Sequence, residues 1–370
     1  MGSEKNIYSQ LAQDWGLPGS ESFIRVMEIG FTPEEGEVLR ALNGWTTPQQ
    51  LAQKLGVDES TILPRIQRLL RSGWLRIRKG TYNATPNMLS TIPATSLPGI
   101  PETRLNELWR DFYRSGDYQK WSAEAWIKRL AATGNPVHRV MPARKALRAS
   151  TNLKPEQILW YEDIEQLLTR AKMIFGGRGK DVCACRRKWG VCDSPAGCMN
   201  WSYIERPTSF GRYSHQLSLA EALALVDEAE EYGSVNIPDN CSETEATCFC
   251  CPCCCHTLQS SMDQGRPYKE YGKLQAGTAP SRFQAVIDQD LCNGCQTCVE
   301  RCHFDAVEMK KTPGSKTLKA NIKGENCMGC GLCVFKCPQK AIRLEVVRPP
   351  SYIPILTRQQ LMAWDLAPDL

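Results

Sequence analysis

The first 182 residues of this 370-residue chain contain no cysteine, and the whole chain has only 4 histidines. No run of about 18 apolar residues is present, so no membrane span is expected. No basic segment followed by an apolar stretch opens the sequence, so secretion is not expected and a cytoplasmic protein is. Net charge is only +5, too little to imply a nucleic-acid partner by itself. No Ser-His-Asp set, paired general-acid carboxylates or nucleotide fingerprint is recognisable, so no catalytic residue is assigned. Gly176-Gly177-Arg178-Gly179-Lys180 lacks the phosphate-loop spacing and reads as a plain loop. Hydrophobic residues at 42% exclude a disordered chain, and the length suits two to three domains.

What the chain does have is 19 cysteines, all between Cys183 and Cys337. Thiols kept reduced in a cell are not a disulfide framework, so metal coordination is their expected use. They fall into three groups. The first is Cys183, Cys185, Cys192 and Cys198. The second is Cys241, Cys248, Cys250, Cys251, Cys253, Cys254 and Cys255. The third runs from Cys292 to Cys337.

The third group reads C-x2-C-x2-C-x3-C twice, at Cys292, Cys295, Cys298, Cys302 and at Cys327, Cys330, Cys333, Cys337, the second run followed by Pro338. Zinc sites pair two C-x2-C units, whereas two full runs of this kind are an iron–sulfur pattern. Residues 283–347 resemble a bacterial two-cluster ferredoxin. The resemblance implies that Cys292, Cys295, Cys298 and Cys337 hold one [4Fe-4S] cluster, and that Cys327, Cys330, Cys333 and Cys302 hold the other. Gly294, Gly329 and Gly331 allow the tight turns such a wrap needs. Val286-Ile287 and Ala341–Leu344 read as flanking strands. His303 stands where the ferredoxin pattern has proline, either as a plain filler or as a donor near the second cluster.

The first group is expected at the end of a strand begun by Lys172-Met173-Ile174-Phe175, and in the turn-rich loop after it. Four thiolates there suit a third [4Fe-4S] cluster or a zinc ion. Arg186, Arg187 and Lys188 would offset its negative charge. In the second group, adjacent cysteines of an extended chain point in different directions, so not all can ligate one cube. One further cluster, a single larger cluster using six or more thiolates, and surplus free thiols all remain open, and His256 reads as a neighbour of the ligands. Between the groups, Ser218 and Glu221 form a capping box that opens a helix, and Gly233 ends it.

From about Val140 to Leu344 the chain resembles a family of large ferredoxin-like proteins from anaerobes. The features carrying this are Cys183-Ala184-Cys185-Arg186, Cys192-Asp193-Ser194-Pro195, Cys198, the helix to Gly233, the dense run Cys250–Cys255 and the two-cluster module. The resemblance implies [4Fe-4S] dicluster binding and electron transfer, and favours iron–sulfur over zinc in the middle region. The chain departs from the pattern at Phe249-Cys250-Cys251-Pro252, where Asn before the pair and Gly after it are expected.

In the thiol-free half, Thr32-Pro33-Glu34-Glu35 and Thr47-Pro48 are helix starts, and Asp58-Glu59 opens a third helix with Ile62, Ile66, Leu69 and Leu70 on one face. Trp74–Tyr82 alternates like a β-wing. Over about 60 residues this resembles a winged helix-turn-helix of the MarR type. Arg65, Arg68, Arg71, Arg76, Arg78 and Lys79 are basic with no acid among them, which suits phosphate contact. Pro64 inside the third helix and the scarcity of base-reading side chains favour protein docking instead. Residues 91–104 read as a Pro-rich linker. Residues 105–132 read as two amphipathic helices whose Trp109, Phe112, Tyr113, Trp121 and Trp126 are core or subunit contacts.

The expected fold class is α+β. A winged helix occupies residues 1–90, linker and helices 91–135, a Cys-rich cluster-binding domain 136–282, a two-cluster ferredoxin domain 283–347 and a Pro-rich tail 348–370. The expected function is single-electron relay between a redox donor and a partner reductase or flavoprotein. Arg301, Lys310, Lys311, Lys316, Lys319 and Lys323 would steer an acidic partner or simply form a solvated face. The alternatives are a reductase with an unusual cluster in the Cys250–Cys255 region, and a redox-sensing DNA-binding regulator.

Overall fold

The computed structural model describes residues 6–84, 102–118, 121, 130–179, 183, 185–186, 192–205, 214–255, 258, 262–263, 266–267, 277–311 and 317–362. Residues 91–101 of the expected linker, Trp126, Lys180, Arg187, Lys188, His256 and Lys316 lie outside them. The chain forms two compact units, one within Met1–Ser122 and one within Ala123–Asp365. Helices and strands are mixed in an α+β chain.

The N-terminal unit has helices α1 (Ile7–Asp14), α2 (Glu21–Gly30), α3 (Pro33–Ala41), α4 (Pro48–Leu55) and α5 (Glu59–Arg71), then the antiparallel hairpin β1 (Leu75–Arg78) and β2 (Thr81–Ala84). Thr32 and Thr47 each close a capping box with the residue three further on, and each is followed by Pro at the first helical position. Helix α6 (Glu102–Arg114) begins inside the expected linker, so residues 102–104 are helical. Its Trp109 stacks on Trp74 at 6.3 Å, and its Phe112 lies 5.0 Å from Phe23. These rings are core, as their spacing suggested, and Trp121 donates its ring N–H to the Trp15 carbonyl. Arg68 pairs with Glu35 at 3.5 Å, while the Arg76 and Arg78 side chains lie outside the described residues.

The second unit is built on a five-stranded antiparallel sheet. Its strands are β4 (Met173–Gly176), β5 (Cys198–Ser202), β6 (His215–Leu217), β7 (Val235–Pro238) and β8 (Ala246–Cys250), in the order β6-β4-β5-β8-β7. The short helices α7 (Arg144–Ala149) and α8 (Ile164–Arg170) precede it, with β3 (His138–Arg139) before them. Helix α9 (Leu219–Tyr232) opens on the Ser218–Glu221 capping box and ends at Gly233, whose φ of 109° suits only glycine. Alternation gives the sheet two different faces. Met199, Trp201 and Phe249 pack against Ala222, Leu225, Val226 and Ala229 of α9. Cys248 and Cys250 of β8 belong to the opposite core, with Val235 and Ile237 beside them.

That second core continues through the C-terminal module. After the two-residue strands β9 (Met262–Asp263), β10 (Arg266–Pro267) and β11 (Thr278–Ala279), β12 (Phe283–Ile287) pairs antiparallel with β15 (Ile342–Val346), and between them in sequence β13 (Val307–Lys311) pairs antiparallel with β14 (Leu318–Ile322). Helix α10 (Thr297–Glu300) lies between β12 and β13. Phe283, Phe304, Met328 and Leu344 share one buried cluster with Val140, Leu147, Cys250 and Cys255. Packing thus runs without a break across the 282/283 boundary drawn from sequence. Arg282, at the boundary, makes a buried ion pair with Glu162 at 2.6 Å, and its carbonyl accepts the Val347 amide from beyond it. The tail packs on residues 239–243: the Ser242 and Glu243 amides donate to Pro354 and Leu356, and Arg358 Nε donates to Asp239. Helix α11 (Arg358–Met362) closes the described chain.

Candidate metal centres

The eight C-terminal cysteines lie on two loops of the same design. Gly294, Gly329 and Gly331 all have φ between 68° and 78°, and each is pressed against other atoms. A Cβ on Gly294 would come within 2.2 Å of the Leu318 carbonyl, and one on Gly329 within 2.1 Å of the Phe283 carbonyl. Only glycine permits that approach together with a positive φ. The two closing cysteines have matched environments. The Ala306 amide donates to Cys302 Sγ and the Ala341 amide to Cys337 Sγ, each at 3.3 Å and four residues downstream. Such donors stabilise negative sulfur. Cys292, Cys295, Cys298 and Cys337 line a single hollow closed by Ile287, Ala320 and Ile342. Four thiols around an apolar hollow are the donor set an iron–sulfur cube needs, so these residues fit the group.

Burial pushes the Cys298 thiol up to about 11 and the Cys330 thiol up to about 12, and raises Cys302 and Cys333 as well. Cys295 differs. It is exposed, and the Thr297 hydroxyl and amide lower its pKa. Residues 285–344 match the family model of the 4Fe-4S dicluster domain. The C-terminal module therefore carries [4Fe-4S] clusters, as the cysteine spacing led us to expect. Comparison with curated proteins finds no relative of this chain.

Around that module the charges expected to steer a partner are partly committed. Lys310 pairs with Glu308, Lys323 with Asp305, and Lys319 donates to the Gln289 carbonyl. Arg301 donates to the carbonyls of Glu230, Glu231 and Tyr232 at the C-terminus of α9. His303 donates its ring N–H to the Gly233 carbonyl at 2.7 Å, and burial lowers its pKa. Its role is to attach the module to α9.

The middle region regroups the expected sites. The strand leading to the first cysteines ends at Gly176, so Cys183 is not at a strand end. Cys192 leaves Cys183, Cys185 and Cys198 and joins Cys251, Cys253 and Cys254. Its Sγ lies 3.3 Å from Cys251 and 3.7 Å from Cys254. Cys251 is 2.9 Å from Cys254 and 3.1 Å from Cys253. All four sulfurs lie within 4.8 Å of one another.

Six of the other thiols form a row. Cys183 touches Cys185 and Cys198. Cys198 faces Cys248 across the β5–β8 ladder at 3.4 Å. Cys248 touches Cys250, and Cys250 is 2.8 Å from Cys255. The partition has a local cause. Period two puts Cys248 and Cys250 on one face of β8 and sends Cys251 the other way. A turn closed by the Cys255 amide on the Cys251 carbonyl then returns Cys255 to the row.

Ionisation within the two sets is shared. Contact with Cys251, then Cys253 and Cys254, holds Cys192 far below the usual thiol range, and contact with Cys192, then Cys251 and Cys253, holds Cys254 far above it. Arg186 is buried beside them. Its Nε donates to Cys192 Sγ at 3.3 Å, and its Nη1 to the Ser194 and Ala196 carbonyls at 3.0 and 2.8 Å. Burial opposes its charge, but the neighbouring Cys183, Cys192 and Cys254 raise its pKa on balance. Cys241 joins neither set. It is fully buried near Asp239 and Arg139, and burial, reinforced by Asp239, pushes its thiol up to about 12.

Proposed function

We propose that this protein is a cytoplasmic electron carrier that relays single electrons between a redox donor and a partner reductase or flavoprotein. The observation that carries the reading is the shared core: Cys250 and Cys255 of the thiol row lie in one buried cluster with Cys298 and Cys327 of the dicluster module. Clusters bound at these thiols supply one-electron redox chemistry. The residues supply the rest. Phe283, Phe304 and Leu344 exclude water between the two thiol regions. Arg301 and His303 tie the module to α9, so the distance between the regions is kept. Exposed Cys295 marks the end of the module that a partner reaches.

The row Cys183, Cys185, Cys198, Cys248, Cys250 and Cys255 is the proposed location of the third cluster. Six thiols in continuous contact exceed the four that a cube uses. That excess favours one second reading, in which the row holds a larger cluster that itself reduces a substrate. Rapid freeze-quench EPR after mixing oxidised protein with a sub-stoichiometric reductant separates the two. A relay predicts reduction of the C-terminal pair followed by transfer to the middle region and on to an added flavoprotein. A substrate-dependent shift of the middle-region signal supports the reductase. Electrons that stay on the C-terminal pair contradict both.

A further inference from the structure

Four sulfurs bound to one zinc-sized ion at about 2.3 Å stand roughly 3.8 Å from one another, because a tetrahedron's edge is about 1.6 times its centre-to-corner distance. The thiols of a [4Fe-4S] cube sit on four separate iron corners and stand wider apart. Among the described residues, Cys192, Cys251, Cys253 and Cys254 are the one set of potential metal donors whose ligand atoms all fall within 4.8 Å of one another. Neither quartet of the dicluster module meets that limit, although all eight of its cysteines are described. The row's contacts run pairwise along a line, whereas this set closes on itself with the separation of ligands to a single ion.

A second feature points the same way. Four thiolates around a divalent ion carry a net charge of −2. Arg186 supplies a positive charge that is only 2% exposed, fixed by two backbone carbonyls and aimed at Cys192 Sγ. Its Nη2 is buried without a hydrogen-bond partner among the described residues. A buried guanidinium is stable only with a compensating anion, and the charged groups found around this one are thiols of the same region.

We propose that Cys192, Cys251, Cys253 and Cys254 bind one tetrahedral thiophilic ion of the zinc class, with Arg186 as its fixed counter-charge. The ion staples the 192–197 loop to the turn after β8, positions 59 residues apart in sequence. It also holds Cys250 and Cys255, which flank its three ligands in that turn, in place for the thiol row. Soft sulfur donors in a closed tetrahedral set select zinc over oxygen-preferring ions. The site is independent of the electron-transfer reading, and either can fail alone.

The test is elemental analysis of the full-length protein, purified anaerobically, with acid-labile sulfide measured on the same samples. Cys192→Ser and Cys253→Ser are compared with wild type and with Cys295→Ser. The expected result is about one zinc per chain, or one iron unaccompanied by sulfide, lost in the first two variants and kept in the third. Sulfide falls only in Cys295→Ser. Loss of about four iron together with four sulfide from Cys192→Ser or Cys253→Ser would overturn the proposal, as would no metal loss at all. If those variants do not fold, X-ray absorption on wild type decides. Four sulfurs at about 2.3 Å around zinc, with no metal neighbour, support the site. The absence of both zinc and sulfide-free iron from wild type overturns it.

Discussion

A thiol buried beside a carboxylate resists ionisation, and Cys241 is in that position. It sits in the same sequence group as the dense run Cys248–Cys255, yet among the described residues it joins neither the quartet nor the row. Replacing it tests the partition of the thiols. Cys241→Ala is expected to leave iron and sulfide content unchanged and to cost about 1–2 kcal/mol of stability, for a small buried side chain. A loss of iron in that variant would place Cys241 among the ligands. The glycines make the opposite prediction. Gly329→Ala forces a Cβ to 2.1 Å from a carbonyl at a φ of 68°. It is expected to remove one cluster, seen as a loss of about four iron and four sulfide per chain. The dicluster module was legible from sequence because three cysteines of each run are local and their spacing is set by the wrap itself. The regrouping of Cys192 was not. Its partners follow it by some sixty residues, and nothing in a spacing pattern names a partner at that range.

At the scale of elements, β8 shows what periodicity could and could not reveal. The alternation of Cys248, Phe249 and Cys250 is visible in sequence, and it already implies that Cys250 and Cys251 diverge. Which side each thiol meets depends on the β5–β8 register, which pairs Cys198 with Cys248. Register is set by the opposite face, where Met199, Trp201 and Phe249 meet α9. Helix starts were more legible: Thr32, Thr47 and Ser218 all cap helices through their own side chains. Ser218→Ala is expected to cost about 1 kcal/mol, measurable by denaturant unfolding.

Helix α7 has an unusual cap, because the Glu230 carboxyl of α9 accepts the Arg144 and Lys145 amides and the Asn236 side-chain amide. Burial outweighs these bonds and pushes Glu230 from the ordinary 4.5 up to about 7. The folded chain therefore holds this proton more tightly than the unfolded one. Its stabilising contribution is complete below pH 4.5 and is lost as pH rises through about 7. Thermal melting should weaken across that window, and Glu230→Gln should flatten the dependence. An unchanged slope in the variant would show that another group titrates.

At the scale of the whole molecule, the second unit is one structure and not two domains joined by a linker. The 282/283 boundary drawn from sequence followed a change of motif, but the core crosses it with Phe283 and Cys250 in one cluster. Composition cannot show such continuity, since apolar strands on both sides look alike whether they share a core or not. Arg282, the last residue before that boundary, holds a buried pair with Glu162, accepts the Val347 amide at its carbonyl and donates its Nε to the Arg348 carbonyl. Removing one partner leaves an uncompensated charge in the interior. Glu162→Ala is expected to lower stability by about 3–5 kcal/mol and to loosen the middle region and the dicluster module together. Hydrogen exchange that rises in only one of them would contradict a shared core.

The central claim is that the dicluster module and the thiol row form one relay. The most direct measurement is an anaerobic reductive titration of the full-length protein followed by EPR, with iron and sulfide counted on the same sample. The account predicts about 12 iron and 12 sulfide per chain, with a third reduction step and magnetic coupling between neighbouring clusters. About 8 iron and 8 sulfide, with two reduction steps that are unaffected by Cys248→Ser or Cys250→Ser, would contradict it.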